Sequence, residues 1–230
     1  MTRAKLRRWH IWLGWAAAIP VLIWVISGLV MVARPIEEVR GSGLLREAEP
    51  VRAVRTPIPP SIAGVPLKSL TLEQRAPGPR WVVELADGKT RLADPATGLL
   101  LPGYSASDAS REVEVRYTGK AKVQSVTRTD PQHPPLELRR PIAAWKVAMD
   151  DGTHFFVDAS SGRIVATRTG WWRFYDFMWG LHIMDPQTRE DTHNPFVIVV
   201  GIVALAMAVL GTITLPMTIR RRRATTNKPD

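Results

Sequence analysis

Residues 81–102 read WVVELADGKTRLADPATGLLLP, and residues 145–166 read WKVAMDDGTHFFVDASSGRIVA. The two stretches align without a gap at an offset of 64. Trp81 falls on Trp145, Val83 on Val147, Asp87-Gly88 on Asp151-Gly152, Asp94 on Asp158 and Gly98 on Gly162. This is an internal repeat. Asp-Gly between two alternating runs marks a tight hairpin, because glycine accepts the positive φ of the turn. In Asp94-Pro95-Ala96-Thr97-Gly98 and Asp158-Ala159-Ser160-Ser161-Gly162 the Asp side chain can bond turn amides, and the Gly takes the left-handed position. Each unit is therefore expected to be three short antiparallel strands with two turns. The aspartates read as turn formers, since their spacing is not that of a calcium loop.

Such a sheet needs a cover for its apolar face. Residues 106–117 offer a helix before the second unit, capped by Ser107 or Asp108. The run Lys122-Val123-Gln124-Ser125-Val126-Thr127 is strand-like. The first unit has only a weak counterpart near Pro66–Glu73, so it reads as trimmed.

Outward from the repeats, the ends of the 230-residue chain decide its environment. Trp9 to Val32 carries no ionisable side chain except His10, and Phe196 to Ile219 carries none. A helix of such length reaches roughly 36 Å, enough to span a hydrocarbon core of about 30 Å. Of the net charge of +10, four charges lie in the first eight residues and four after Ile219. Basic flanks of this kind stay in the cytoplasm, so both termini are expected inside and the middle outside. They also suit anionic lipid headgroups, and they remove the case for nucleic-acid binding that a high pI would otherwise make. The first run is longer than a signal-peptide core and lacks a small-x-small exit, which points to an uncleaved anchor. No cysteine is present, so thiolate metal sites and thiol redox chemistry are excluded for this chain.

Between the repeats and the second span lies Trp171-Trp172-Arg173-Phe174-Tyr175-Asp176-Phe177-Met178-Trp179-Gly180-Leu181-His182. On a helix, Arg173, Asp176 and Gly180 share one narrow stripe in a largely apolar surface. The aromatic content favours a helix at the membrane interface or against the anchors, with a core helix of the middle domain as the other reading. Small residues Gly14, Ala17, Ala18, Ser27 and Gly28 in the first span, and Gly201, Ala204, Ala208 and Gly211 in the second, permit close helix approach, within the chain or between copies.

The strand–Asp-Gly–strand–Asp-x-x-x-Gly units resemble PepSY domains. Their placement between Arg8-Trp9-His10-Ile11-Trp12-Leu13-Gly14, with Ser27-Gly28 further on, and a second span preceded by Leu181-His182 resembles the PepSY-associated transmembrane proteins. The expected fold is thus an α+β membrane protein in which two transmembrane helices flank a periplasmic domain of two PepSY-like three-stranded antiparallel units. Its expected parts are a cytoplasmic N-terminus (1–8), a transmembrane helix (9–33), a linker (34–65), the two units (66–103 and 104–169), an interfacial aromatic helix and loop (170–195), a transmembrane helix (196–219) and a cytoplasmic tail (220–230).

The resemblance implies the bacterial inner membrane and a binding or regulatory role toward an envelope protein, in an iron-uptake system where the larger family members are the guide. It also implies an alternative: a haem b-binding subunit of a membrane ferric-siderophore reductase, with His10 and His182 as ligand candidates. The expected topology puts those two histidines at opposite membrane faces. His10 would then pair with Met217 or with His10 of a second copy, and His182 with His193 or a partner chain. A divalent metal at His182, Asp185, Glu190, Asp191 and His193 matches no rigid ligand spacing. His133 and His154 read as surface residues. No nucleophile–base pair, phosphate-cradling loop or paired-carboxylate signal stands out, so whether the chain is an enzyme stays open, with a non-enzymatic role the favoured expectation.

Overall fold

The computed structural model of the chain describes residues 3–51, 56–62 and 64–226; for Arg3 and residues 215–226 it describes the backbone alone. Two compact units form. One comprises Met1–Arg34 with Phe174–Asp230, the other Pro35–Arg173.

In the Pro35–Arg173 unit the repeats become two antiparallel sheets. The first contains β1 (Leu67–Arg75), β2 (Gly78–Leu85), β3 (Thr90–Ala93) and β4 (Leu100–Leu101) in that order. The second contains β5 (Val123–Arg128), β6 (Ala144–Met149), β7 (His154–Asp158) and β8 (Ile164–Arg168). Each sheet thus has four strands, which corrects the expectation of three. The extra strand precedes the tryptophan in both repeats: Thr71 lies opposite Val82, and Val126 opposite Val147. These are edge strands whose outer positions are polar, so their alternation is weak in sequence.

The turns follow the repeat. Gly88 and Gly152 take φ of 83° and 79°. Asp87 Oδ1 accepts from the Lys89 amide at 3.0 Å, and Asp151 Oδ1 from the Thr153 amide at 2.8 Å. Gly98 and Gly162 donate to the carbonyls of Asp94 and Asp158 at 2.7 and 2.8 Å. The paired tryptophans also behave alike: Trp81 Nε1 donates to the Ile58 carbonyl and Trp145 Nε1 to the Tyr104 carbonyl.

Helix α3 (Ala106–Arg116) is capped by Ser105, two and three residues before the expected Ser107 and Asp108. The Asp108 amide donates to Ser105 Oγ, and the Ser105 amide donates back to Asp108 Oδ2, closing a capping box. Among the described residues the first repeat has no equivalent helix. Instead, Val82 and Leu92 of the first sheet share one buried cluster with Ala109 and Val113 of α3 and with Val147, Met149, Phe155 and Val157 of the second. Within the stretch read as a linker, Ile36–Val39 forms a short helix α2 that buries Val39, and Ser42–Leu44 forms a 3-10 turn.

Charged groups tie the repeats together. Arg163, in the last turn of the second repeat, reaches Glu84 at 2.8 Å and Glu73 at 2.5 Å in the first sheet. Arg75 pairs with Glu73 and lies 3.8 Å from Glu112 of α3. Glu112, 1% exposed, accepts from the Ala76 amide at 2.8 Å and from the Tyr104 hydroxyl at 3.3 Å. A buried carboxylate is tolerated only when its oxygens are met in this way.

In the other unit, α1 (Arg3–Val32) and α5 (Pro195–Thr226) pack along their small residues. A Cβ on Gly14 would lie 3.8 Å from Met207 Sδ, and one on Gly211 would lie 3.2 Å from His10 Cε1. Four residues back along α1 matches four residues onward along α5, so the helices are antiparallel. Gly201 has open space instead. Trp12, Trp15 and Ile19 are more than two-thirds exposed. Only 11% and 6% of the most apolar windows of the two helices are buried, which is not how the core helices of a water-soluble protein behave. Helix α4 (Gly170–His182) contributes its residues from Phe174 onward to this unit.

Replacing Glu112 by Ala leaves the Ala76 amide and the Tyr104 hydroxyl without their buried acceptor and removes the counter-charge 3.8 Å from Arg75. Chemical denaturation of the full chain in detergent is expected to show a loss of about 3 kcal/mol, most of it recovered by Glu112→Gln.

Candidate functional site

The membrane unit builds its most specific polar contact at His182, the last residue of α4. Trp24 Nε1 donates to His182 Nε2 at 3.1 Å. An indole nitrogen can only donate, so Nε2 is the unprotonated ring nitrogen and Nδ1 carries the hydrogen. Nδ1 lies 3.1 Å from the Trp24 carbonyl and 3.2 Å from Ser27 Oγ. Ser27, 1% exposed, bonds back to the Ile23 carbonyl at 2.7 Å. A Cβ on Gly28 would come within 3.2 Å of His182 Cε1. Trp24, Ser27 and Gly28 fall at i, i+3 and i+4, one face of a helix, and that face receives the imidazole. Sequence reasoning singled out His182 and missed Trp24 and Ser27 as its partners. The signal was a serine and a glycine one turn beyond a tryptophan in an otherwise apolar span.

His10 lies toward the other end of α1. It sits against Gly211, and its Nδ1 is buried without a hydrogen-bond partner among the described residues. The 18 residues from the His10 site to Gly28 correspond to roughly 27 Å of helix. His10 and His182 are therefore not brought together. They do not fit one haem within one chain, and either nitrogen of His182 would have to break a hydrogen bond to bind iron. The Met217 side chain lies outside the described residues, and His193 is exposed beside Thr192.

The acidic loop after α4 is a built structure. Asp185 accepts from the amides of Thr188, Glu190 and Asp191 and from the Thr188 hydroxyl. The Thr188 hydroxyl above all, aided by those amides, holds its carboxyl well below the usual carboxylate range. Asn194 caps α5 by accepting from the Val197 amide, and it donates to the carbonyls of Ile183 and Asp191. Among the described residues, no group of three or more His, Cys, Asp or Glu side chains is placed to hold a metal ion.

The polar stripe of α4 turns inward. Asp176, 4% exposed, pairs with Arg189 at 2.7 Å. Gly180 leaves room for the Arg189 stem, and Trp179 Nε1 donates to the Arg189 carbonyl. Phe174 and Phe177 are left outside.

In the sheet unit, His154 is not a plain surface residue. Its Nδ1 meets Glu137 Oε2 at 2.7 Å, while Glu137 Oε1 accepts from Arg173 Nε at 2.6 Å. Burial pushes the Glu137 carboxyl up, but the bonds from His154 and Arg173 outweigh it and hold it below the ordinary value. Glu73 is lowered in the same way, with Arg163 outweighing burial. Burial and the neighbouring Glu112 push the Tyr104 hydroxyl up.

The family model described as the PepSY-associated TM region matches residues 7–229. The chain belongs to this family. The match runs through both long helices and both sheets, so this PepSY-associated chain is a membrane protein with transmembrane helices. No curated protein and no solved structure gives a match. The Trp24–His182 contact is accordingly a feature of this PepSY-associated chain read from its own geometry.

A double-mutant cycle with Trp24→Phe and His182→Phe, read as unfolding free energies in detergent, is expected to give a coupling of about 1 kcal/mol. Strictly additive effects would remove the bond from the account. Gly28→Leu is expected to destabilise as well, by pushing the imidazole off α1.

Proposed function

We propose that the chain is a non-enzymatic binding and regulatory module of the bacterial inner membrane. In this reading both termini are cytoplasmic, and residues 34–195 face the periplasm and meet an envelope protein partner. The basic flanks of the two helices support that orientation. One observation carries the module reading: the side chains with chemical potential are engaged in holding the fold. Asp87, Asp151, Asp94 and Asp158 close turns, Glu112 and Arg75 meet in the interior, Asp185 organises its loop, and His182 joins α4 to α1. The iron-uptake setting rests on the resemblance to larger family members.

A second reading, a haem b-binding subunit, draws on His10, whose buried Nδ1 beside Gly211 has no hydrogen-bond partner among the described residues.

Alkaline phosphatase fused after Gly152 is expected to be active, and the same enzyme fused at the C-terminus inactive; the reverse pattern would sink the orientation. The detergent-purified chain is expected to lack a Soret band. A band near one haem per chain, lost in His10→Ala and kept in His182→Ala, would instead establish the second reading.

A further inference from the structure

The N-terminal end of α1 bears a groove of about 320 Å3 lined by Ala4, Arg7, Arg8, Ile11 and Trp12. These positions, i, i+3, i+4, i+7 and i+8, share one side of a helix. That side is not the one that packs on α5. The packing stripe runs through His10, which lies against Gly211, through Gly14, which faces Met207, and through buried Ala17. At about 100° per residue, the groove lies roughly 120° around the helix from that stripe. Trp15 and Ile19 carry the same side on along the span, 78% and 71% exposed. In a transmembrane helix such a side meets lipid.

Two features say what fills the groove. The first is charge. Arg7 and Arg8 are exposed, and neither has an ion pair or side-chain hydrogen bond among the described residues. The sequence has no acid before Glu37, and Asp230 is the one acid after Pro195. Because α5 runs antiparallel to α1, its end returns to this level, and there the sequence adds Arg220, Arg221, Arg222 and Arg223. Most of the counter-charge must therefore come from outside the chain, and lipid phosphates are the anions held at the ends of a membrane span. The second feature is the floor. Ile11 and Trp12, 47% and 70% exposed, form the half of the groove nearer the middle of the span. Inorganic phosphate has nothing to lay there, whereas a phospholipid has its glycerol backbone and chains. The Trp12 indole N–H has no acceptor among the described residues and suits a lipid ester carbonyl.

The geometry points to a site for one anionic phospholipid on α1: Arg7 and Arg8 hold the phosphate, and the acyl chains lie along Ile11, Trp12 and Trp15. A guanidinium fork meets two phosphate oxygens at once, which the point charge of a lysine does not. A headgroup with net negative charge is favoured over a zwitterionic one, because an ammonium would bring a further cation to an end already crowded with them. The inference rests on the membrane setting of α1 and not on which membrane face its N-terminus occupies, so a reversed orientation and a failed lipid site are separate results.

The test is native mass spectrometry of the full chain released from neutral detergent micelles, titrated with phosphatidylglycerol or with phosphatidylcholine of the same acyl chains. One phosphatidylglycerol per chain is expected to be retained at concentrations where phosphatidylcholine is not. Arg7→Gln and Arg8→Gln should each weaken retention about 5-fold, the worth of one basic residue at an anionic lipid surface. Trp12→Ala should weaken it as well. Lys5→Gln removes the same charge from a residue that does not line the groove, and is expected to change retention less than about 2-fold. All four positions are exposed, so the thermal midpoints of the variants are expected to stay unchanged. The inference is overturned by equal retention of the two lipids, by a Lys5→Gln loss as large as that of Arg7→Gln, or by displacement of the lipid with millimolar inorganic phosphate.

Discussion

Hydrocarbon offers no partner to a backbone amide or carbonyl, and this constraint organises the membrane unit. It forces the two apolar stretches into helices, and it favours a partner within the protein for the polar side chains inside them, which Trp24 and Ser27 find and His10 Nδ1 does not among the described residues. Ser27 bonds back to its own helix, Trp24 meets an imidazole, and His182 uses both ring nitrogens. The small residues let this happen at close range. A side chain at Gly28 would reach the imidazole, and one at Gly211 would reach His10. Packing between membrane helices depends on such approach, because apolar area alone gains nothing by leaving lipid.

The sheet unit meets a different difficulty. Two small sheets, each too thin to bury a core alone, share the single helix α3. Among the described residues the first repeat has no helix corresponding to α3, and the second repeat's helix packs with the buried residues of both sheets. Arg163 and Arg75 then fasten the incomplete repeat through Glu73, Glu84 and Glu112. Buried charge is a poor source of net stability compared with apolar packing, but breaking one member is severe, so the arrangement fixes how the repeats meet.

Much of this was legible in the sequence, for reasons that differ by element. The repeat was visible because Asp-Gly and Asp-x-x-x-Gly have demanding backbone geometries that few residues satisfy. The spans were visible because charge is excluded over 24 residues. β1 was nearly invisible: Leu70 and Leu72 alternate with Thr71 and Glu73, but an edge strand needs only one apolar side. Ser105 was overlooked as a cap because Ser107 and Asp108 carry the same chemistry two and three residues on. The partners of His182 and Glu137 are far along the chain, Trp24 at a separation of 158 and Arg173 at 36, and no local pattern announces such pairs.

The inward stripe of α4 has a consequence for biosynthesis. Asp176 leaves the ribosome before the cation that neutralises it, because Arg189 follows 13 residues later. At about 5–20 residues per second that is a delay of roughly a second. During that interval the nascent helix carries a bare carboxylate on the side that must later be hidden, with Phe174 and Phe177 on the other. The segment therefore stays wetted until the loop emerges. The order of synthesis thus delays the closing of the Asp176–Arg189 pair until the loop after α4 has been made.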